Sequence, residues 1–166
     1  MPLPLVAHVP STARSLYSLD ELETVPSKKQ QIVGKYTLVE HLGSGSSGCN
    51  VFAATHPESR EVFAIKVHRG GCGGTACALP RFMREAELTC LLNHPHVVTG
   101  IESGIDGKDH YVVMKLLRGK SLAEILQDCG RLDWRTATTL VLHVARALAH
   151  LKSLHIVHRD VRISLR

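Results

Sequence analysis

From Tyr36 onward the chain alternates short runs of β-type residues with stretches of helical periodicity. Tyr36–Leu42, Val51–Thr55 and Glu61–His68 are rich in Val, Phe, Leu and Thr. A turn at His56-Pro57-Glu58-Ser59 separates the last two, so three strands are predicted. Gly70–Gly74 is a loop rich in breakers. Pro80 suits the first turn of a helix, and Phe82, Glu85, Leu88, Thr89 and Leu92 recur on one helical face. Val97–Ile101 and His110–Lys115 predict two more strands, with a Gly- and Asp-containing turn region between them. Ser121 and Glu124 make a capping box for a short helix ending near Gly130. Asp133 is the expected N-cap of the longest helix, whose apolar positions are Leu140, Val141, Val144, Leu148 and Leu151. Residues 1–34 mix Pro, Ser, Thr, Lys and Gln without periodicity, and read as a flexible tail with a short helical turn at Leu19–Glu23. No internal repeat is evident, and the whole is an α+β chain.

Composition narrows the class. A chain of 166 residues makes one domain or one domain with a tail. Three Phe, three Tyr and one Trp leave a mostly aliphatic core. The net charge of +5 is spread along the chain, with no Lys/Arg run dense enough for a nucleic-acid footprint. Five cysteines, an odd number without C-x-x-C, argue against a disulfide framework and for a reducing compartment. No apolar run reaches membrane-spanning length, and Met1–Val9 lacks the basic start of a signal peptide. The expectation is an intracellular protein, cytoplasmic or nuclear, with neither nucleic acid nor membrane as a partner. His68, Cys72 and Cys77 are only three irregularly spaced groups, short of a zinc site. Cys49 reads as a passive surface thiol.

Three features carry chemistry. Gly43-Ser44-Gly45-Ser46-Ser47-Gly48 lets backbone amides approach phosphate oxygens without side-chain obstruction. It lies between strands, not at a strand-to-helix turn, so it reads as a hairpin lid or as a plain Gly/Ser turn. On the strand that follows, Ala64 and Lys66 share a face. A flat base would slide over Ala64 while phosphates meet Lys66; a solvent-exposed lysine is the simpler alternative. Glu85, 19 residues after Lys66 and on the inward face of the next helix, would orient its ammonium group. Glu87 competes for that role but lies off the apolar face.

Taken in order, these residues resemble a eukaryotic-type protein kinase. The resemblance runs from about Tyr36 to Asp160. Glu85 precedes His94-Pro95 by nine residues, as the helix glutamate does in that family. Tyr111-Val112-Val113-Met114 looks like the strand entering the hinge, with Met114 as gatekeeper and Lys115 to Leu117 as the hinge that would hydrogen-bond adenine. Ser121 falls where many kinases touch ribose, although helix capping is its favoured role. His158-Arg159-Asp160 closes the series, and its setting resembles serine/threonine kinases more than tyrosine kinases.

The resemblance implies a kinase-like fold. Residues 35–113 would form the N-lobe antiparallel sheet with one helix, 114–120 the hinge, and 121–166 the start of an incomplete helical C-lobe. It implies ATP binding through Leu42, Gly43, Ser44, Gly45, Gly48, Val51, Ala64, Lys66, Met114, Lys115, Leu117 and Ser121. It also implies transfer of the γ-phosphoryl group to Ser/Thr hydroxyls of a protein substrate, with Asp160 as base, Lys66 on phosphates, Glu85 fixing Lys66, and Arg159 pairing with a phosphorylated segment.

Four departures qualify this. Asn50 stands where the family carries Val, which suggests that Val51 covers the base instead. Thr89 replaces a large aliphatic residue and should loosen the helix. Leu165 stands where the metal-binding Asn falls and cannot coordinate Mg²⁺. The chain stops at Arg166, before the second Mg²⁺ ligand and the substrate-binding helices. Mg²⁺ is therefore expected for the family while its protein ligands are missing here. Leu140, Val144, Leu148 and Leu151 would form an exposed patch for a partner covering the incomplete C-lobe. On this reading the isolated chain is inactive in transfer; the alternative is a pseudokinase module that binds a nucleotide or a partner.

Overall fold

A β-rich run pairs with its neighbour when both can bury one face, and here five such runs and a short sixth do so. The computed structural model describes residues 31–44, 49–59, 61–70, 78–159, 161 and 163. Strands β1 (Ile32–Val33), β2 (Tyr36–Ser44), β3 (Cys49–Thr55), β4 (Val62–His68), β5 (Gly100–Asp106) and β6 (Asp109–Lys115) form one antiparallel sheet in the order β1-β2-β3-β4-β6-β5. Helix α1 (Ala78–Leu91) lies between β4 and β5 in sequence; α2 (Leu122–Cys129) and α3 (Trp134–Ser153) follow the sheet. The described residues fall into two units. One comprises the sheet and α1; the other comprises 92–98 and the chain from Arg118 onward.

In the sheet unit, the alternation of side chains separates two faces. Ile65, Val67, Val113 and Ala54 are fully buried with Tyr36 and Val33, and Phe52, Phe63 and Tyr111 pack around them. Burying side chains of this size contributes about 1.5–3 kcal/mol each. The sheet curls enough for the β1–β2 turn to reach β5. The Gly34 amide donates to Asp106 at 2.8 Å and Lys35 pairs with Glu102 at 2.9 Å. The opposite face carries Ala53, Ala64 and Met114 in one cross-strand row, and Val51, Lys66 and Val112 in the next.

Helix α1 lies against β5 and β6. Gly100 permits this closeness: a Cβ there would stand 2.7 Å from the backbone of Thr89 and Cys90. Residues Phe82, Glu85, Ala86 and Thr89 form the buried stripe of α1, at the i, i+3, i+4, i+7 spacing of an amphipathic helix.

Several expectations change. Val97–Ile101 is not a strand: β5 runs Gly100–Asp106, and Val97 and Val98 are buried in the preceding segment. The strand passes through Gly104 because Tyr111 packs across it, 2.6 Å from where a Cβ would stand. The sheet begins at Ile32, inside the segment read as tail. The remainder of that segment, with Leu19–Glu23, lies outside the described residues.

The other unit starts helices where the caps predict. Ser121 and Glu124 complete the capping box of α2, and Asp133 accepts from the amides of Arg135 and Thr136 at the start of α3. The apolar stripe of α3 differs from the one expected. Leu140, Ala147 and Leu151 are buried, Val144 and Leu148 are half-buried, and Val141 faces solvent at 67% exposure. The expected exposed patch is thus not formed by Leu140 and Leu151. Trp134, Val141 and Leu142 are the large apolar groups that α3 leaves exposed.

Candidate functional site

The inward face of β4 and the buried stripe of α1 meet at one ion pair. Lys66 Nζ donates to Glu85 Oε1 at 2.5 Å. The side chains are 17% and 8% exposed, so both charges are largely desolvated. Glu87 is exposed and takes no part. Phe82, one turn before Glu85, places its ring 6.0 Å beneath the ammonium group. Sequence reasoning missed Phe82 as a site residue and counted it only as core; its i−3 spacing from Glu85 is the signal that could have found it. The second carboxylate oxygen of Glu85 is buried without a hydrogen-bond partner.

Around the pair, Val51 stands opposite Lys66 in the β3–β4 register, and Ala64 stands opposite Met114 in the β4–β6 register. Ala64 and Met114 are buried and Val51 is half-buried. Leu42 is exposed at a register shift in β2 between His41 and Gly43. Gly43 pairs with Val51 and Ser44 with Asn50.

Asn50 has a clear local role. Its side-chain oxygen accepts from Ser44 Oγ at 2.9 Å and lies 3.2 Å from His41 Nε2. The polar residue standing in place of Val thus ties the two strands together below the glycine loop. Gly45 and Gly48, with Ser46 and Ser47, lie outside the described residues.

Past the sheet, Lys115 and Leu117 are exposed, and the Lys115 amide donates to the Thr99 carbonyl at 3.1 Å. Ser121, in the second unit, is engaged as the helix cap. In the same unit His158 is buried and Arg159 is exposed with a left-handed φ of 66°. Asp160 and Leu165 lie outside the described residues.

Thr89, expected to loosen the helix, is 2% exposed, and its hydroxyl donates to the Glu85 carbonyl at 2.7 Å. One further expectation is corrected. Cys49 is not a surface thiol. It is 1% exposed, and burial pushes its pKa up, partly opposed by Lys66. His68 is buried against the Phe82 ring, with centroids 5.7 Å apart; Cys72 and Cys77 lie outside the described residues. Among the described residues no group of three or more His, Cys, Asp or Glu is placed to hold a metal ion, and no helix is long and apolar enough to cross a membrane.

A curled antiparallel sheet with one helix presenting a glutamate to a strand lysine is the architecture of a kinase N-lobe. The sequence matches the Protein kinase domain family over residues 36–164, and the chain belongs to that family. It is 35% identical over 133 residues to the serine/threonine-protein kinase PkaB of Streptomyces coelicolor, covering 80% of this chain and 31% of that protein. It is 29% identical over 133 residues to the serine/threonine-protein kinase PrkC of Bacillus subtilis, covering 80% of this chain and 20% of that protein. The crystal structure of the Mycobacterium tuberculosis PknI kinase domain superposes with a TM-score of 0.68 at 25% identity, covering 82% of this chain and 56% of that one. The chain thus spans under a third of the length of these two curated relatives.

Proposed function

We propose that this chain binds ATP on the α1-facing side of its sheet, as part of a kinase that phosphorylates Ser/Thr hydroxyls of proteins. The Lys66–Glu85 pair carries this reading. A lysine held 2.5 Å from a buried carboxylate is a preoriented cation, suited to phosphate oxygens as a point charge. The small side chain of Ala64, two residues along β4, leaves a flat surface beside Met114 for a purine. Two residues of strand span about 7 Å, which leaves room for a sugar between base and phosphates. With the Lys115 amide engaged by Thr99, a base recognised at 115–117 would use the peptide groups that follow. The glycine loop would cover the phosphates, and Asp160 would take the substrate proton, with Arg159 held for a phosphorylated segment. The residues present fit the nucleotide. Among the described residues, no group of three or more His, Cys, Asp or Glu is placed to hold Mg²⁺.

Leu165 favours a second reading, a nucleotide-binding pseudokinase module, because an apolar side chain stands at the position of the metal-binding Asn. One experiment separates the two. Thermal unfolding is followed with and without ATP, in the presence and absence of Mg²⁺, alongside Lys66→Met, while transfer from labelled ATP to a generic protein substrate is assayed. Ligand at 100 times its Kd stabilises by about 2.7 kcal/mol, so binding is visible as a rise in Tm. A rise lost in Lys66→Met supports the nucleotide site. Transfer abolished by Asp160→Ala supports the kinase; binding without transfer supports the module. No rise with ATP at any concentration overturns both.

A further inference from the structure

Four histidines, scattered over more than fifty residues of sequence, come together in the second unit. His94 and His96 lie in the segment after α1; His143 and His150 lie two turns apart on α3. His96 stacks on His143 with centroids 3.9 Å apart and planes 16° apart. His94 stacks on His150 at 5.1 Å and 19°. His94 and His96 meet edge to face at 5.4 Å. Two parallel ring stacks thus join the 92–98 segment to α3. Parallel rings do not converge their nitrogens on one point, in keeping with the lack of a metal-holding cluster among the described residues.

We propose that these paired stacks form a proton-sensitive clasp, holding the 92–98 segment on α3 while the rings are neutral and releasing it on acidification.

Three observations favour the neutral form. The His96 amide donates to His94 Nδ1 at 3.2 Å, so that nitrogen must carry a lone pair and not a proton. His143 Nδ1 is buried without a partner, so an imidazolium there would hold an unsatisfied N–H. Each stack brings two protonatable rings face to face, and like charges at such separations repel. Among the described residues, His150 acts on His94, and His143, His94 and Arg146 of α3 act on His96. Every one is cationic or becomes so on protonation, and none is a carboxylate that would stabilise imidazolium.

Burial first, then these neighbours, hold His94 and His96 below the ordinary histidine pKa. A group depressed in the docked form takes up its proton more readily once released. The docking is therefore complete above about pH 6.5 and is lost as pH falls through the depressed values. What the clasp holds is apolar: Leu92, Val97 and Val98 in the segment, and Leu140, Ala147 and Leu151 on α3, are all buried. The proposal is independent of whether the chain binds ATP.

Amide hydrogen exchange on the whole 166-residue chain tests it, with rates corrected for the intrinsic effect of pH. Lowering the pH from about 7.5 to about 5.5 should cut protection of the Val97, Val98, Ala147 and Leu151 amides roughly tenfold, the most that one released ring of ordinary pKa near 6.5 can give by taking up its proton at a pH one unit lower. The double variant His96→Gln/His143→Gln should lose less than about threefold, one of the two ring stacks having been removed. Equal losses in both proteins overturn the proposal. Should the variant not fold, histidine ring titration of the wild-type chain by NMR decides. Rings of His94 and His96 titrating below about 6.5 support the clasp, and values at or above that figure overturn it.

Discussion

Glu85 gives one carboxylate oxygen to Lys66 at 2.5 Å and keeps the other buried without a hydrogen-bond partner. The pair is thus a half-satisfied buried charge site, stabilised by one charge-assisted bond. Breaking a fully buried pair costs about 3–5 kcal/mol. Lys66 keeps 17% of its side-chain exposure, so water offsets part of that. Lys66→Met should cost about 1.5–3 kcal/mol, the range for hydrogen bonds to charged groups. Adding Glu85→Leu should recover part of the loss, since no orphaned carboxylate remains. Denaturant unfolding of the two variants checks this; a double variant less stable than the single one would contradict it.

Gly100 controls the same pair from a distance. A Cβ at this position would stand 2.7 Å from the backbone of Thr89 and Cys90, and backbone cannot swing aside as a side-chain tip does. In Gly100→Ala, α1 must move off β5, and Glu85 moves with it. Overpacking of this kind costs about 1–3 kcal/mol. The variant should also weaken ATP binding, although residue 100 is not among the groups proposed to touch the nucleotide. Unchanged ATP affinity in a variant destabilised by that amount would show that α1 and Lys66 are not coupled through Glu85.

Much of this was legible beforehand because local chemistry and burial agreed. Ser121 and Asp133 cap their helices as their neighbours require, and the Lys66–Glu85 partnership follows from two periodicities, 2.0 on a strand and 3.6 on a helix. Failures came where a long-range contact outweighed local pattern. Val97 and Val98 have strand-like composition but are buried outside the sheet, whereas Gly104, a breaker by composition, lies inside β5 because Tyr111 crosses it. Ile32 and Val33 are too short a run to stand out until β2 pairs with them. The histidine stacks join residues some fifty positions apart, with no local signature.

Thr89 illustrates a polar residue made compatible with burial. Its hydroxyl returns to the Glu85 carbonyl one turn back, a bond that slightly weakens helices. Removing it leaves no orphan, because that carbonyl can still serve the helical ladder. Thr89→Val, similar in shape, should therefore raise stability by up to about 1 kcal/mol. A drop of more than about 1 kcal/mol in chemical denaturation would show instead that the hydroxyl supports the position of Glu85.

The acid limit of α3 should trace to its N-cap. Hydrogen bonds from Thr136, side chain before backbone, and then from the Arg135 amide, hold the Asp133 carboxyl below its usual range. Ser121 does the same for Glu124 at the start of α2. A carboxylate depressed in the folded state contributes stability that is complete above its unfolded value near 4 and is lost as pH falls through the depressed one. Helicity of the wild-type chain should decline through this window, well below the one in which the histidines titrate. Asn caps a helix about as well as Asp but does not titrate, so Asp133→Asn should keep the helicity seen at neutral pH and flatten the acid decline. Asp133→Ala should lower helicity at every pH. Far-UV circular dichroism between about pH 5 and about pH 2 reads all three. An acid decline as steep in Asp133→Asn as in the wild type would move the origin of acid sensitivity elsewhere, with Glu124 the next carboxylate to replace.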